Sequence, residues 1–155
     1  MTFIATPQTT QSDDKVISSG EFWPAISLAD FRAVMRLDGT VTNQRLEHAI
    51  TSSILQINKE LSEWRRVQQS DGHSNLANVP GELINNVNAY VHLYKRAVYC
   101  FAKANLVERY NDFDSTVKGT RDSDELNDTT DSLRRDGRIA IRDILGENHV
   151  TVELI

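Results

Sequence analysis

The chain is poor in the residues that carry most recognisable chemistry. Of its 155 residues only one is cysteine, Cys100. No disulfide can form within the chain and no thiolate cluster can hold zinc, so a reducing compartment suits it. The four histidines, His48, His73, His92 and His149, are scattered. No two stand four apart, as a pair gripping one metal on a helix would. Neither G-x-G-x-x-G nor G-x-x-x-x-G-K occurs, and "VKGTR" is too short to mean phosphate binding. "DSDELND" at 122–128 opens like a calcium loop. It then places Asn127 where the sharp turn needs glycine and Leu133 where the bidentate glutamate belongs. No nucleophile, base and orienting group can be assembled from the spacing. The expectation is a protein without catalytic, cofactor-binding or metal-binding residues, and not an enzyme.

Long apolar runs are missing too. None approaches the ~20 residues of a membrane span. The start, "MTFIATPQTTQSDDK", has neither the basic region nor the apolar stretch of a signal peptide. The chain reads as soluble, made in a cytoplasm, with no membrane partner. Lys and Arg number 17 against 22 Asp and Glu, a formal net charge of -5. That argues against a dedicated nucleic-acid binder, whose affinity rests on clustered cations. It is compatible with a protein past which DNA slides.

What is present is helical periodicity, on a chain long enough for one domain with its own core. Residues 5–20 are polar and, alone, should not fold. "EFWPAI" follows, and Pro24 keeps Trp23 extended. Phe22 and Trp23 either pack on the domain's own helices or anchor a neighbouring subunit, since aromatic side chains are enriched at interface cores. A short helix begins after Ser27, a good N-cap with Asp30 three residues on. It turns Phe31, Val34, Met35 and Leu37 to one side and stops at Gly39.

The strongest stripe comes next. Thr42 or Asn43 caps it, and Leu46, Ile50, Ile54, Ile57, Leu61 and Trp64 recur at steps of three and four. From about Asn43 to Gln69 this is a rod of about 40 Å. "SDGHSNLANVPG" breaks it. A third helix runs from Glu82 or Asn86 to Tyr110, with Tyr90, Leu93, Tyr94, Ala97, Phe101, Ala104 and Val107 on its face. Cys100 sits on that face and reads as a buried structural thiol.

Residues 111–125 read as a long polar connection, with Lys118 and Gly119 as a candidate hinge. A fourth helix starts at Asp122 or Ser123. Its face carries Leu126, Thr130, Leu133, Gly137, Ala140 or Ile141, and Ile144, and Gly137 invites a close approach. Arg134, Arg135, Arg138 and Arg142 line its polar side, behind acids at 122, 124, 125, 128 and 131. Acid first and base later suits the helix dipole and equally makes a charged docking surface. Gly146 ends the helix. "HVTVELI" closes the sequence with Val150, Val152 and Leu154 alternating with Thr151 and Glu153, the period of a strand. A lone strand must find a partner for its backbone.

The expected fold is all-α: a bundle of three to four helices, two of them long, with a flexible polar connection and a C-terminal β-strand. It divides into an N-terminal arm (1–21), a helical connector domain (22–146) and a terminal strand (147–155) for docking to another subunit.

Four patches resemble a known family: "FWPAISLADFRAVMRLDGTVTNQRLEHAI" at 22–50, "NKELSEWR" at 58–65, "KRAVYCFAKANLVERYNDFDSTVKG" at 95–119, and "DELNDTTDSLRRDGRIAIRDILG" at 124–146 followed by "VTVELI". Together they resemble the head completion (head stabilisation) proteins of temperate contractile-tailed phages, the gpL family. Val107 stands where that pattern leads one to expect an aromatic side chain. The resemblance covers Phe22 to Ile155 and implies a structural protein of the virion, at the head–tail neck, assembled in the host cytoplasm. It implies a ring of about twelve copies beneath the portal, closed on itself. That ring would seal the DNA-filled head and present a surface to a downstream neck or tail-terminator protein. Genomic DNA would pass through its lumen without sequence-specific binding. The runner-up is a cytoplasmic helical adaptor or regulator that binds another protein.

Overall fold

Thr42 opens the longest apolar stripe by accepting a hydrogen bond on its hydroxyl from the Arg45 amide. Helix α2 then runs Asn43–Glu60 and buries Leu46, Ile50, Ile54 and Ile57. The computed structural model describes residues 15–37, 39–114 and 121–147. In it the expected single rod is two helices, because α2 breaks at Leu61 and α3 covers Ser62–Ser70. The Ser62 hydroxyl donates back to the Lys59 carbonyl at 2.8 Å, a local bond that bends helices. Leu61 is nonetheless fully buried and Trp64 packs on the core, so the stripe survives the bend.

The first helix, α1 (Leu28–Met35), starts as expected, with Ser27 Oγ accepting from the Asp30 amide at 3.2 Å. It stops at Arg36 rather than at Gly39. Arg36 takes the left-handed conformation at φ 52°, and the Leu37 amide reaches back to the Arg32 carbonyl at 3.0 Å. This is the closure a glycine usually provides. Val34, expected on the packed side, is exposed.

Helix α4 spans Ala89–Asp114 and α5 spans Arg121–Leu145. Both extend into the stretch expected to be a loop from 111 to 125. No proline or glycine stands between Tyr110 and Asp114 to stop α4, and acids near the start of α5 favour its N-terminus. Lys118 and Gly119, the expected hinge, lie outside the described residues. Gly146, at φ 71°, ends α5, with the Glu147 amide closing onto the Arg142 carbonyl at 3.0 Å.

Two short antiparallel ladders complete the subunit. β1 (Val16–Ile17) pairs with β2 (Ile26–Ser27), and β3 (Leu83–Ile84) pairs with β4 (Val87–Asn88). The first holds down chain expected to be unfolded: Lys15 pairs with Glu47 at 2.8 Å and Asn58 donates to Ser19 at 3.1 Å.

Helix α4 is the spine, packed most extensively against α5 and next against α2. Val91, Tyr94, the run from Ala97 to Ala102, Ala104 and Leu106 are all buried, so more than one face is covered. Trp23 stacks on Tyr94 at 4.7 Å and Phe22 meets Trp23 edge-on at 4.8 Å. The Tyr94 hydroxyl donates to Asn58 at 2.8 Å, and the Tyr99 hydroxyl donates to the Asp30 carboxylate.

Burial outweighs the hydrogen bonds with Ser19 and Asn58 and pushes the Tyr94 phenol up to about 12. Burial, followed by the hydrogen bond and charge of Asp30, pushes Tyr99 up as well. Both groups fold as neutral phenols. Their contribution is complete below the unfolded value of about 10 and is lost as pH rises through 10 towards 12. Thermal melts between pH 8 and 11 should show the melting temperature falling above about pH 10. Tyr94→Phe should make that fall shallower; an unchanged slope would contradict the assignment.

Candidate docking surface

Helices α2, α4 and α5 meet around an open polar cleft of about 270 Å³, lined by Ser52, Ser53, Gln56, Phe101, Asn105, Arg134 and Arg138. Its shape follows from small residues. Ser53 is buried and donates back to the Ala49 carbonyl at 2.9 Å. Gly137 lets α5 close on α4, since a Cβ there would lie 2.8 Å from the Phe101 ring. The expectation of a close approach at Gly137 thus holds, and Phe101 is what approaches. Gly137→Val should destabilise the subunit by about 2–3 kcal/mol through overpacking. Gly137→Ala should cost less, because Phe101 can swing toward the cleft and alanine favours the helix by about 1 kcal/mol. Denaturant titration of both variants measures the order.

Arg134 and Arg138 stand one helical turn apart on the cleft wall. Arg134 pairs with Glu108 across the α4–α5 seam at 2.6 Å. Arg135 and Arg96 approach Asp136, each at 3.8 Å. Arg138 is exposed and has no hydrogen-bond or ion-pair partner among the described residues. Exposed pairs of this kind contribute at most about 1 kcal/mol each. The fold therefore depends little on this cationic wall, which remains available to a partner. Cys100 is buried behind it. Burial first, and Asp136 next, raise the thiol above its usual value against the opposing pull of Arg96, so it stays protonated.

Phe22 and Trp23 are almost fully buried in the subunit's own core. An interface role for these rings would require their segment to leave that core. Val150, Val152 and Leu154 lie outside the described residues. No cluster that could hold a metal ion is found among the described residues, and no described helix is long and apolar enough to cross a membrane.

One surface was not anticipated from the sequence. β3 and β4 form a tight hairpin turned by Asn85 and Asn86, both left-handed at φ 52° and 60°. Asn88 clamps its base, donating to the carbonyls of Ala77 and Val79 and accepting from the Tyr90 amide. His92 donates to the Ile84 carbonyl at 3.0 Å. The hairpin is thus held firmly while Leu83, Ile84 and Val87 stay 66%, 52% and 37% exposed. The pair "NN" between apolar residues was the available signal.

Comparison with known proteins gives two kinds of match. The model of the phage head completion protein (GPL) family matches residues 17–155. The head completion/stabilization protein of Escherichia phage P2 is 38% identical over 143 residues, covering 92% of this chain and 85% of that protein. The probable head completion/stabilization protein of Haemophilus phage HP1 (strain HP1c1) is 25% identical over 150 residues, covering 96% and 97%. No solved structure matches the chain.

Proposed function

The chain belongs to the phage head completion protein (GPL) family, and from that membership we propose that it builds an adaptor ring beneath the portal of the filled head. A member of this family is a structural component of the virion, not an enzyme. In the proposed ring, about twelve copies close head-to-tail around the exit channel. They retain the packaged genome and offer the surface to which the next neck or tail-terminator protein binds. The observation that carries this reading is the match over 17–155, which includes every described helix.

Three features of the subunit suit the role. A connector must keep its shape under the pressure of packaged DNA, and α4 is packed on several sides by α1, α2 and α5. It must also present docking surface that its own fold does not consume. The arginine wall of α5 and the β3–β4 hairpin are both of that kind. A net charge of -5 favours passage of DNA over its retention by the wall of the channel. Arg134, Arg135 and Arg138 would contact a neighbouring subunit or the portal, where fixed cations set register and partner choice.

The test is electron microscopy of filled heads produced without tails, with and without this protein. Density for a closed ring is expected below the portal, and it should disappear, together with the packaged DNA, when the gene is absent. Heads that retain DNA and an unchanged neck without the protein would contradict the proposal.

A further inference from the structure

The C-terminal strand pattern reads as needing a sheet from another chain, because four helices leave little internal sheet for it to join. The subunit does contain sheet, and among the described residues β3 pairs only with β4, so its outer edge has no strand partner there. In an antiparallel ladder, residues that exchange hydrogen bonds alternate with residues that do not. Ile84 faces Val87 at the turn, and the Ala89 amide donates to the Glu82 carbonyl at 2.8 Å. Leu83 lies between these two bonded levels, opposite Asn88. Its N–H and C=O therefore point away from β4, along an edge flanked by exposed apolar side chains. A firmly held apolar edge left in water is a docking element in waiting.

We infer that residues 149–155 of one copy add as a strand to the free edge of β3 in the next copy. Two geometric facts select this occupant. The first is height. Gly137 of α5 lies against Phe101 of α4, and Arg134 against Glu108, so the two helices run antiparallel. Eight residues further along α5, about 12 Å, bring Leu145 level with the first turns of α4, where the hairpin stands. The second is direction. His92, which holds the hairpin, and Phe101, which touches α5, are nine residues apart, roughly two and a half turns, and so face opposite sides of α4.

The segment therefore leaves α5 at the hairpin's height but on the far side of a helix about 10–12 Å thick. Only Asn148 separates Glu147 from the start of the strand pattern. Rounding its own helix would use most of the ~23 Å that seven extended residues span. In the proposed ring a neighbouring copy would present the same edge without that detour. Sequence alternation matches as well: in an extended strand Val150, Val152 and Leu154 would share one face, as a strand laid beside Leu83 requires. The contact joins unlike surfaces of identical subunits, which is the arrangement that closes a ring. It rests on the ring reading above.

Filled heads carrying paired cysteines test it. Leu83→Cys is combined in turn with Val150→Cys, Thr151→Cys and Val152→Cys; Leu83 is exposed, so the subunit should fold, and circular dichroism checks that it does. Mild oxidation should give a ladder of disulfide-linked multimers from heads and none from dilute free subunit. Cross-linking should be strong at 150 or 152 and weak at 151. A closed loop within single chains would overturn the proposal in favour of each subunit's own tail. Absence of cross-links from heads that hold the protein at ring copy number would overturn this contact and leave the ring standing. Heads that lack the protein altogether would overturn both.

Discussion

Deleting residues 149–155 is expected to leave a folded, helical subunit that cannot connect heads to tails. The buried apolar side chains of the described residues form one core that runs from Phe22 to Ile144. Melting temperature and helical content should match the full chain. Filled heads carrying the truncated subunit should leak DNA and fail to join tails, because the proposed contact of residues 149–155 with the next copy would be lost. Virion yield is the readout, and normal yield would refute the docking role. A subunit that loses stability would instead show that the strand pairs within its own chain, for instance with the extended start around "TFIAT". The two outcomes are separable because one is read on isolated protein and the other on particles.

Ile54→Asp should have the largest effect on the subunit itself. Ile54 is 4% exposed, in the middle of α2. The substitution removes a buried aliphatic side chain, worth about 2–5 kcal/mol, and puts a carboxylate into apolar surroundings, which costs more unless the group protonates. Together these match the total stability of about 5–15 kcal/mol of an ordinary domain. The expected result is loss of the cooperative unfolding transition, seen by circular dichroism on heating. Leu55→Asp, one position along and exposed, should melt like the parent. If both variants melt alike, the facing of α2 is wrong.

Helix faces were the legible part of the sequence. All six positions of the 46–64 stripe pack into the core, because apolar residues that recur every three or four positions over several turns line up only on one side of a helix. Leu61 shows the limit. The break there is accompanied by one Ser62 hydroxyl bonding back to Lys59, and serine within a helix is too common to mark a break. Arg36 shows a second limit: a left-handed arginine closes the helix where sequence rules look for glycine, so α1 ends three residues early.

The hairpin was hidden for a third reason. Its strands have two residues each, too short for alternation to register, and Val87 and Asn88 run directly into α4. An apolar run feeding a helix looks like the helix's first turn. Phe22 and Trp23 were ambiguous on principle, since aromatic rings suit a core and an interface equally; only their contacts with Tyr94 and Trp64 decide where they sit in the subunit. Composition offered no pattern that says what the charges of α5 do. The arginine row of α5 was legible as a charged face, but its place on the cleft wall and the absence of a partner for Arg138 among the described residues emerged only once α5 was laid against α4.

The central claim is that this chain acts as a single closed ring at the neck. Its most direct test is the number of copies per purified virion, counted by quantitative mass spectrometry against the portal protein as an internal standard. The account predicts parity with the portal, on the order of twelve copies, as a ring stacked on a ring requires. A count of many copies per portal subunit would place the protein over the capsid shell instead, and a count of one or two per virion would rule out a ring; either result would contradict the account.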